Sequence, residues 1–226
     1  MTYFLILLAS LAGPLALSFD RKVAFYRQWK FLFPAILLPA LFYIAWDVWF
    51  TSTNIWEFNP AHITGIKIIN LPVEEVLFFF IVPYCCVFIY ECLKVYFPSL
   101  QPTRFSARFL FILALLLELV GIICLERNYT FFTFIFASIF IQLVLALPGF
   151  FRGFNPTLFL ISYAVILLPF LVVNGFLTAI PVVTYNNAEN LGVRILTIPV
   201  EDIFYGMLLI LMNVALFERF RNKKSA

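Results

Sequence analysis

Two short acidic motifs contain the side chains of this chain that are best suited to acid–base chemistry. Both have the order proline, apolar residue, acid, acid, and they read Pro72-Val73-Glu74-Glu75 and Pro199-Val200-Glu201-Asp202. A strongly apolar stretch follows each motif, which predicts carboxyl groups at the edge of a hydrophobic environment. Acids in a first helical turn also complement the helix dipole, but one acid per helix is enough for that purpose. Carboxyl groups at lipid depth are costly and usually functional, so the paired acids predict a site.

Neighbouring segments carry further polar residues that are predicted to face the same place. Asp47 lies near the end of the apolar segment before the first motif, and Asn174 occupies the matching position before the second. Trp56 falls in the loop between Asp47 and the first motif. Glu118 is a lone acid in another apolar segment, where it either pairs with a neighbouring polar group or joins the site.

Several other polar and aromatic residues have less specific interpretations. Gln142 and Asn213 are predicted to form hydrogen bonds between helices. His62 is expected to be a solvated or interfacial residue rather than a base. Trp46 and Trp49, like Trp56, suit an interfacial aromatic belt or, alternatively, a pocket wall.

Metal and nucleic-acid binding are not predicted. The sequence has one histidine and four cysteines, and no Cys-x-x-Cys pair accompanies a histidine cluster. The cysteines are therefore interpreted as small apolar packing residues. The net charge of +3 is small, and no basic run carries interleaved aromatic residues, which argues against nucleic acid as a partner.

The composition requires that much of the surface face lipid. Hydrophobic residues make up 64% of the 226 residues and charged residues 12%, whereas a soluble domain is about half apolar and about a quarter charged. Seven segments approach the roughly 20 apolar residues that a crossing helix needs. The first has no basic region before it, so it is interpreted as a spanning helix rather than a signal peptide. The predicted segments are 2–18, 31–50, 72–97, 105–125, 131–148, 157–177 and 198–217.

Basic residues predict the orientation of these helices, because they accumulate on the cytoplasmic side. With the N-terminus outside, twelve of the 15 lysines and arginines lie on the cytoplasmic side, including Lys223 and Lys224. Only Lys67, Arg127 and Arg194 lie outside. The sequence thus predicts an integral protein of the cell membrane with an outer N-terminus and a cytoplasmic C-terminus. Both acidic motifs then lie in the outer leaflet.

The sequence also repeats itself. Positions 65–76 align with positions 192–203 without a gap, with five of twelve pairs identical and six more conservative. We call this register, extended along the chain, the repeat alignment. Because four crossings separate equivalent helices, the halves share one orientation and a pseudo-two-fold axis along the membrane normal. We therefore predict an all-α membrane fold of 3+1+3 helices. It consists of a first three-helix repeat (1–98), a linker helix (99–127) and a second repeat (128–226).

Taken together, these residues resemble the small membrane-embedded lycopene cyclases, which do not use a flavin. The resemblance rests on the Pro-x-Glu-Glu/Asp motif, which is that family's mark, on phenylalanines 78–80, and on Asp47, Thr51 and Trp56. It covers nearly the whole chain, since each half matches one three-helix unit. The first half matches more closely, because Asn174 stands where the first half has Asp47. If the halves have specialised, Asp47 belongs to the active half.

The resemblance implies that the open ends of lycopene are converted to β-ionone rings, giving γ- or β-carotene. A proton is added to the terminal double bond, the neighbouring double bond closes the ring, and loss of a ring proton restores neutrality. This isomerisation requires no cofactor by stoichiometry, and the sequence has no GxGxxG motif after a strand to bind a flavin. Burial beside a second carboxyl favours the protonated acid that the reaction needs.

The catalytic residues implied by this chemistry are carboxylic acids. They are Asp47, Glu74, Glu75, Glu201 and Asp202. Adjacent helix positions point about 100° apart, so we expect one acid of each pair to face the substrate and the other to orient it. The sequence does not decide which acid of each pair faces the substrate. Aromatic faces attract a cation, and the predicted substrate-binding residues are Trp56, Phe78, Phe79, Asn174 and Tyr205.

Other functions fit the sequence less well. A small transporter with parallel three-helix repeats is the strongest alternative, but it would need a polar path at the midplane, where this sequence is almost wholly apolar. A retinal protein is rejected because segment 198–217 has no lysine for a Schiff base. A structural subunit that needs a partner stays open. The expected partners are lycopene and the bilayer, with self-association or contact with other carotenoid enzymes also open.

Overall fold

Seven α-helices make up most of the computed structural model, which describes residues 1–222. Lys223 and Lys224, which count toward the predicted cytoplasmic charge, lie outside the described residues. A short 3-10 helix (Phe25–Gln28) precedes the second α-helix. The α-helices are α1 (Thr2–Leu17), α2 (Trp29–Ser52), α3 (Val73–Tyr96), α4 (Arg104–Ile123), α5 (Asn128–Ala146), α6 (Pro156–Ala179) and α7 (Val200–Asn222).

Six of these helices, α2 to α7, are long and apolar enough to cross a membrane, which is consistent with an all-α membrane protein. Helix α1 has 16 residues, slightly fewer than the roughly 17 to 25 that a crossing helix usually has. Two helix starts are fixed by side-chain caps. The Thr103 hydroxyl accepts the Ser106 N–H before α4, and the Asn155 side chain accepts the N–H groups of Thr157 and Leu158 before α6.

Three two-stranded antiparallel sheets occupy the loops between the predicted helices. Two are hairpins that lead directly into α3 and α7, and the third pairs the two long loops with each other. Each strand has only two or three residues, which is too short to give a detectable alternating pattern. The strands are β1 (Trp56–Phe58), β2 (Lys67–Ile68), β3 (Leu71–Pro72), β4 (Val183–Tyr185), β5 (Arg194–Ile195) and β6 (Ile198–Pro199), paired β1–β4, β2–β3 and β5–β6.

Both hairpins have turns with the same backbone conformation. Ile69 and Leu196 have positive φ angles of 62° and 58°, and Gly65 and Gly192, which precede the hairpins, have φ angles of 85° and 73°. The members of each pair are equivalent in the repeat alignment. The left-handed region is unfavourable for a branched side chain such as Ile69, so the surrounding contacts must hold these turns in place.

Helices α3 and α7 form the centre of the bundle. Helices α1, α2 and α6 pack on α3, while α2, α5 and α6 pack on α7. Helix α2 therefore contacts both central helices, and so does α6. Helix α4 lies at the periphery against α5 and α6, with several exposed apolar residues such as Phe105, Leu116 and Ile123. Apolar side chains on an outer helix are expected where the neighbour is lipid.

Ion pairs join the C-terminal ends of the central helices. The Lys94 ammonium lies 2.6 Å from Glu218, and the Arg221 guanidinium lies 2.7 Å from Glu91. Arg221 also contacts Glu218, and the Tyr90 hydroxyl donates to the same carboxylate at 2.8 Å. The Glu218 side chain is fully buried, so its negative charge depends on these partners for compensation.

Replacement of Glu218 by glutamine is expected to destabilise the bundle. Removing one partner of a buried ion pair costs about 3–5 kcal/mol, and we expect the lower end because the Lys94 side chain is 37% exposed. The midpoint of thermal unfolding in detergent should fall. Glu126→Gln, at an exposed acid after α4, is the matched control. Equal midpoints for the two variants would contradict a stabilising role for this cluster.

Candidate active site

The first acid of each motif anchors the loop that precedes its own helix. Glu74 Oε1 accepts the Thr64 N–H at 2.6 Å, and Glu201 Oε1 accepts the Leu191 N–H at 2.7 Å. Glu201 also accepts the Thr130 hydroxyl at 2.6 Å. Both glutamates are fully buried, yet neither lines the cavity described below. The structure thus places Glu74 and Glu201 in positions that hold the hairpin loops.

The second acid of each motif faces a cavity between the central helices. Glu75 of α3 and Asp202 of α7 line a space of about 60 Å³, together with Asp47 of α2. Adjacent helix positions point about 100° apart, so Glu75 and Asp202 face the cavity while Glu74 and Glu201 face away from it. Asp47 is 1% exposed, Glu75 8% and Asp202 3%, so three buried carboxyl groups line one cavity.

Two of these carboxyl groups form a pair. Asp47 and Glu75 are close enough to interact directly. The Tyr3 hydroxyl donates to Glu75 Oε2 at 2.6 Å, and the Tyr205 hydroxyl donates to Asp47 Oδ1 at 2.5 Å. Each acid of the pair therefore has one phenol donor, supplied by a different helix.

Asp202 has a richer set of donors. The hydroxyl groups of Tyr129 and Tyr185 both donate to it, the latter at 2.8 Å, and the Asn174 amide lies 3.4 Å away. Tyr185 is in strand β4, where burial and the neighbouring Asp202 hold the pKa of its phenol well above the ordinary value. Tyr185 therefore keeps its proton at neutral pH and acts as a donor. Several donors around one carboxyl stabilise its ionised form.

Aromatic rings form much of the remaining wall. Trp56, Phe78 and Tyr205, all predicted to bind substrate, line the cavity, as does the predicted Asn174. Phe79 does not, because its ring is fully buried and packs against Tyr43 at a centroid distance of 5.3 Å. The rotation between adjacent helix positions that separates the two acids of each motif also turns Phe79 away from the cavity.

Several lesser candidates lie away from the cavity. The Glu118 carboxylate accepts hydrogen bonds from Gln142 at 2.9 Å and Ser138 at 3.3 Å, so it joins α4 to α5. Asn213 was predicted to bond across helices, but its amide donates to the Leu209 carbonyl of its own helix. Trp46 is 4% exposed and packs in the core rather than in an interfacial belt.

His62 and the cysteines also lie outside the cavity. The His62 ring lies 3.3 Å from the Thr2 hydroxyl, beside the first turn of α1. All four cysteines are free, and residues 1–222 contain no three His, Cys, Asp or Glu side chains arranged to hold one metal ion.

Three tyrosines of the site were missed by the sequence analysis. Tyr3 lies in α1, Tyr129 in α5 and Tyr185 in β4, far apart in the sequence. One weak signal existed, since Tyr3 and Tyr129 both occur in the first turn of a helix that is predicted to begin a three-helix repeat. In a chain with ten tyrosines, that position alone does not distinguish them.

The anchoring contact of Glu74 can be tested by amide exchange. Glu74→Leu removes the acceptor of the Thr64 N–H, and loss of such a buried hydrogen bond costs about 1–3 kcal/mol. Hydrogen–deuterium exchange of a peptide covering residues 59–72 should therefore accelerate roughly tenfold or more. Glu74→Gln keeps an acceptor oxygen and should exchange nearly as slowly as the parent. Equal exchange in both variants would show that Glu74 does not hold this loop.

Comparisons with known proteins identify the family. The model of the lycopene cyclase family matches residues 1–93 and 126–220 of this chain. A bifunctional lycopene cyclase/phytoene synthase from Phaeosphaeria nodorum is 36% identical over 64 residues, which cover 28% of this chain and 11% of the fungal protein. The chain thus aligns with only a small part of that relative. No solved structure matches. The family match spans most of the sequence, and the chain therefore belongs to the lycopene cyclase family.

Proposed function

We propose that this protein converts the open ends of lycopene into β-ionone rings by acid catalysis, giving γ- or β-carotene. The observation that carries the proposal is the burial of Asp47, Glu75 and Asp202 around one cavity with aromatic walls. Membership of the lycopene cyclase family supports a carotenoid cyclase, and a hydrophobic carotenoid substrate suits the apolar helices. In classification terms the reaction is an isomerisation by an intramolecular lyase.

In this mechanism the Asp47–Glu75 pair supplies the proton. Two adjacent carboxyl groups in a site of low dielectric retain a proton between them, because ionising both would place like charges side by side. The proton is added to the terminal double bond of the substrate and leaves a tertiary cation. The neighbouring double bond then attacks the cation and closes the six-membered ring.

Asp202 is assigned the role of base. Its donors, Tyr129, Tyr185 and Asn174, stabilise a carboxylate, which then removes the ring proton. Hydrogen and charge balance, because one proton is added and one is lost. We propose that no cofactor is required by this stoichiometry.

The aromatic wall is assigned to cation stabilisation. The ring centroids of Trp56 and Tyr205 lie 5.9 Å apart, and both rings line the cavity, as does Phe78. The negative face of such a ring attracts a cation by about 0.5–2 kcal/mol. Several rings around one cavity would lower the energy of the cation. None of these rings carries a nucleophile stronger than a phenol.

We further propose that the fold consists of two parallel three-helix repeats (1–98 and 128–226) joined by a linker helix (99–127). The family model matches two stretches of similar length. The register of β1 and β4 is what a two-fold axis requires, since Glu57 pairs with Thr184, its own counterpart in the repeat alignment. The repeat alignment also maps each of two ion pairs onto the other, namely Lys94–Glu218 and Arg221–Glu91.

The distribution of basic residues supports an outer N-terminus and a cytoplasmic C-terminus in the cell membrane. This orientation places the acid-lined cavity in the outer leaflet. The transporter alternative is not favoured by the comparisons.

Substitution of the cavity acids is expected to abolish ring formation. In cells that accumulate lycopene, Glu75→Gln, Asp47→Asn and Asp202→Asn should each lower carotene formation roughly 100-fold or more, the usual contribution of a general acid or base. Glu118→Gln, whose side chain joins α4 to α5, should behave like the parent. Pigments are separated by chromatography, and the membrane level of each variant is measured.

The outcomes of this experiment separate the function from the mechanism. Ring formation that survives all three substitutions would keep the cyclase and discard the assigned acids. Unchanged lycopene with a well-expressed parent chain would contradict lycopene as the substrate.

Glu74→Gln tests the division within the motif, and it should retain activity within roughly tenfold of the parent, because an amide oxygen can still accept the Thr64 N–H.

Reaction in deuterium oxide should label the product. Carboxyl protons exchange with solvent, so each ring formed should gain one deuterium and lose one hydrogen that was bound to carbon. Mass spectrometry of the carotene measures the label. The control is β-carotene incubated with the protein in deuterium oxide, which should stay unlabelled. A ring formed without deuterium would rule out protonation by an exchangeable carboxyl group.

A further inference from the structure

An apolar groove adjoins the acid-lined cavity on one side of the bundle. It has a volume of about 220 Å³, against about 60 Å³ for the cavity, and lies between α1, α3 and α6. Its floor on α3 runs along one helix face from Phe78 to Ile89, a rise of about 17 Å at 1.5 Å per residue. Ser10 and Pro14 form one edge, and Pro169 and Val173 form the other.

The groove and the cavity are continuous. Phe78, Val82, Phe170 and Asn174 belong to the walls of both. Pro169 is exposed, while Ser10, Pro14 and Val173 are half-buried, so the groove opens sideways between α1 and α6. A ligand that enters there meets apolar side chains along most of its length and carboxyl groups only at one end.

Packed aromatic rings occupy the equivalent place between α2, α5 and α7. In the repeat alignment, Pro169, Phe170 and Val173 correspond to Phe42, Tyr43 and Trp46. The centroid of the Trp46 ring lies 4.9 Å from that of Phe136 and 5.1 Å from that of Tyr205, and the Tyr43 and Tyr205 centroids lie 4.8 Å apart. These rings fill the place that corresponds to the groove. We define Phe42, Tyr43, Trp46, Phe136 and Tyr205 as the aromatic plug.

We propose that the groove between α1, α3 and α6 binds the linear polyene of the substrate, with one end group at the acids, and that the aromatic plug closes the equivalent place between α2, α5 and α7. This inference rests on the proposed function for the identity of the ligand. The apolar floor matches a hydrocarbon chain, and the length of the groove matches an extended ligand better than a compact one. The lateral opening suits a molecule dissolved in the bilayer.

Placing a residue of the aromatic plug at the corresponding position of the groove should block lycopene binding. Val173→Trp introduces the residue found at the equivalent position of the plug, whereas Val172→Trp places the same side chain at the adjacent position, which is 59% exposed. Lycopene is achiral, so a signal in the circular dichroism of its visible absorption band reports binding to the protein. Parent and Val172→Trp in lipid nanodiscs should induce the signal, and Val173→Trp should lose it.

A second pair of variants tests the opposite wall. Ser10→Phe projects into the groove from α1, whereas Ala9→Phe lies at an exposed position of the same helix. Ser10→Phe should weaken lycopene binding roughly tenfold or more, as expected when a bulky group occupies a ligand site. Ala9→Phe should have little effect. Thermal unfolding of all four variants shows whether each is folded.

The results distinguish the groove from the proposed reaction. An induced signal that persists in folded Val173→Trp and Ser10→Phe would overturn the groove assignment, even if the parent forms rings. Absence of the signal in the parent would also overturn it, and would leave the groove as a site for lipid chains. Loss of the signal in both groove variants, with a parent that binds lycopene but forms no ring, would sustain the groove and contradict the cyclase.

Discussion

The cost of placing carboxyl groups in an apolar interior is the constraint on which this structure depends. Asp47, Glu75 and Asp202 are all at most 8% exposed, in a bundle whose other interior side chains are largely hydrocarbon. An unpaired buried charge would cost more than the whole stability of a typical domain. Each acid is therefore met by at least one phenol, and the tyrosines come from α1, α5, α7 and β4. Holding these phenols in place requires contacts among nearly all the helices.

A second polar cluster holds the opposite end of the same two helices. Glu91, Lys94, Glu218 and Arg221 join α3 to α7 at their C-terminal ends, while the hairpin loops hold their N-terminal ends through Glu74 and Glu201. Between these fixed points the central helices are surrounded by apolar packing. With both ends tied, the helices have little freedom to rotate, and the orientation of Glu75 and Asp202 toward the cavity depends on that rotation.

Positions that correspond in the repeat alignment share local features but differ around the cavity. Equivalent hairpins, loop anchors and ion pairs recur in the repeat alignment, whereas Asp47 is replaced by Asn174 and the groove by the aromatic plug. The shared features involve backbone geometry and helix ends, which any stable three-helix unit needs. The differing residues face the interior space between the halves. Divergence there distinguishes the groove between α1, α3 and α6 from the equivalent place between α2, α5 and α7, which the aromatic plug fills.

Much of the architecture could be read from the sequence because hydropathy and helix length are local properties. Long apolar segments predicted the helices to within a few residues, and the acidic motifs and the family resemblance indicated a carotenoid cyclase. The predicted orientation and the assigned catalytic roles stay predictions. The three short sheets escaped notice because strands of two or three residues carry no periodic signal.

Only the tertiary structure decided which side chains meet. Glu74 and Glu75 are neighbours in sequence and the same residue type, yet one holds a loop and the other lines the cavity. Phe78 and Phe79 divide in the same way. The reason is that adjacent positions on a helix point about 100° apart, and the direction each one faces is set by how the helix packs. The sequence by itself determined the chemistry available, and the packing of α3 and α7 determined which of it reaches the cavity.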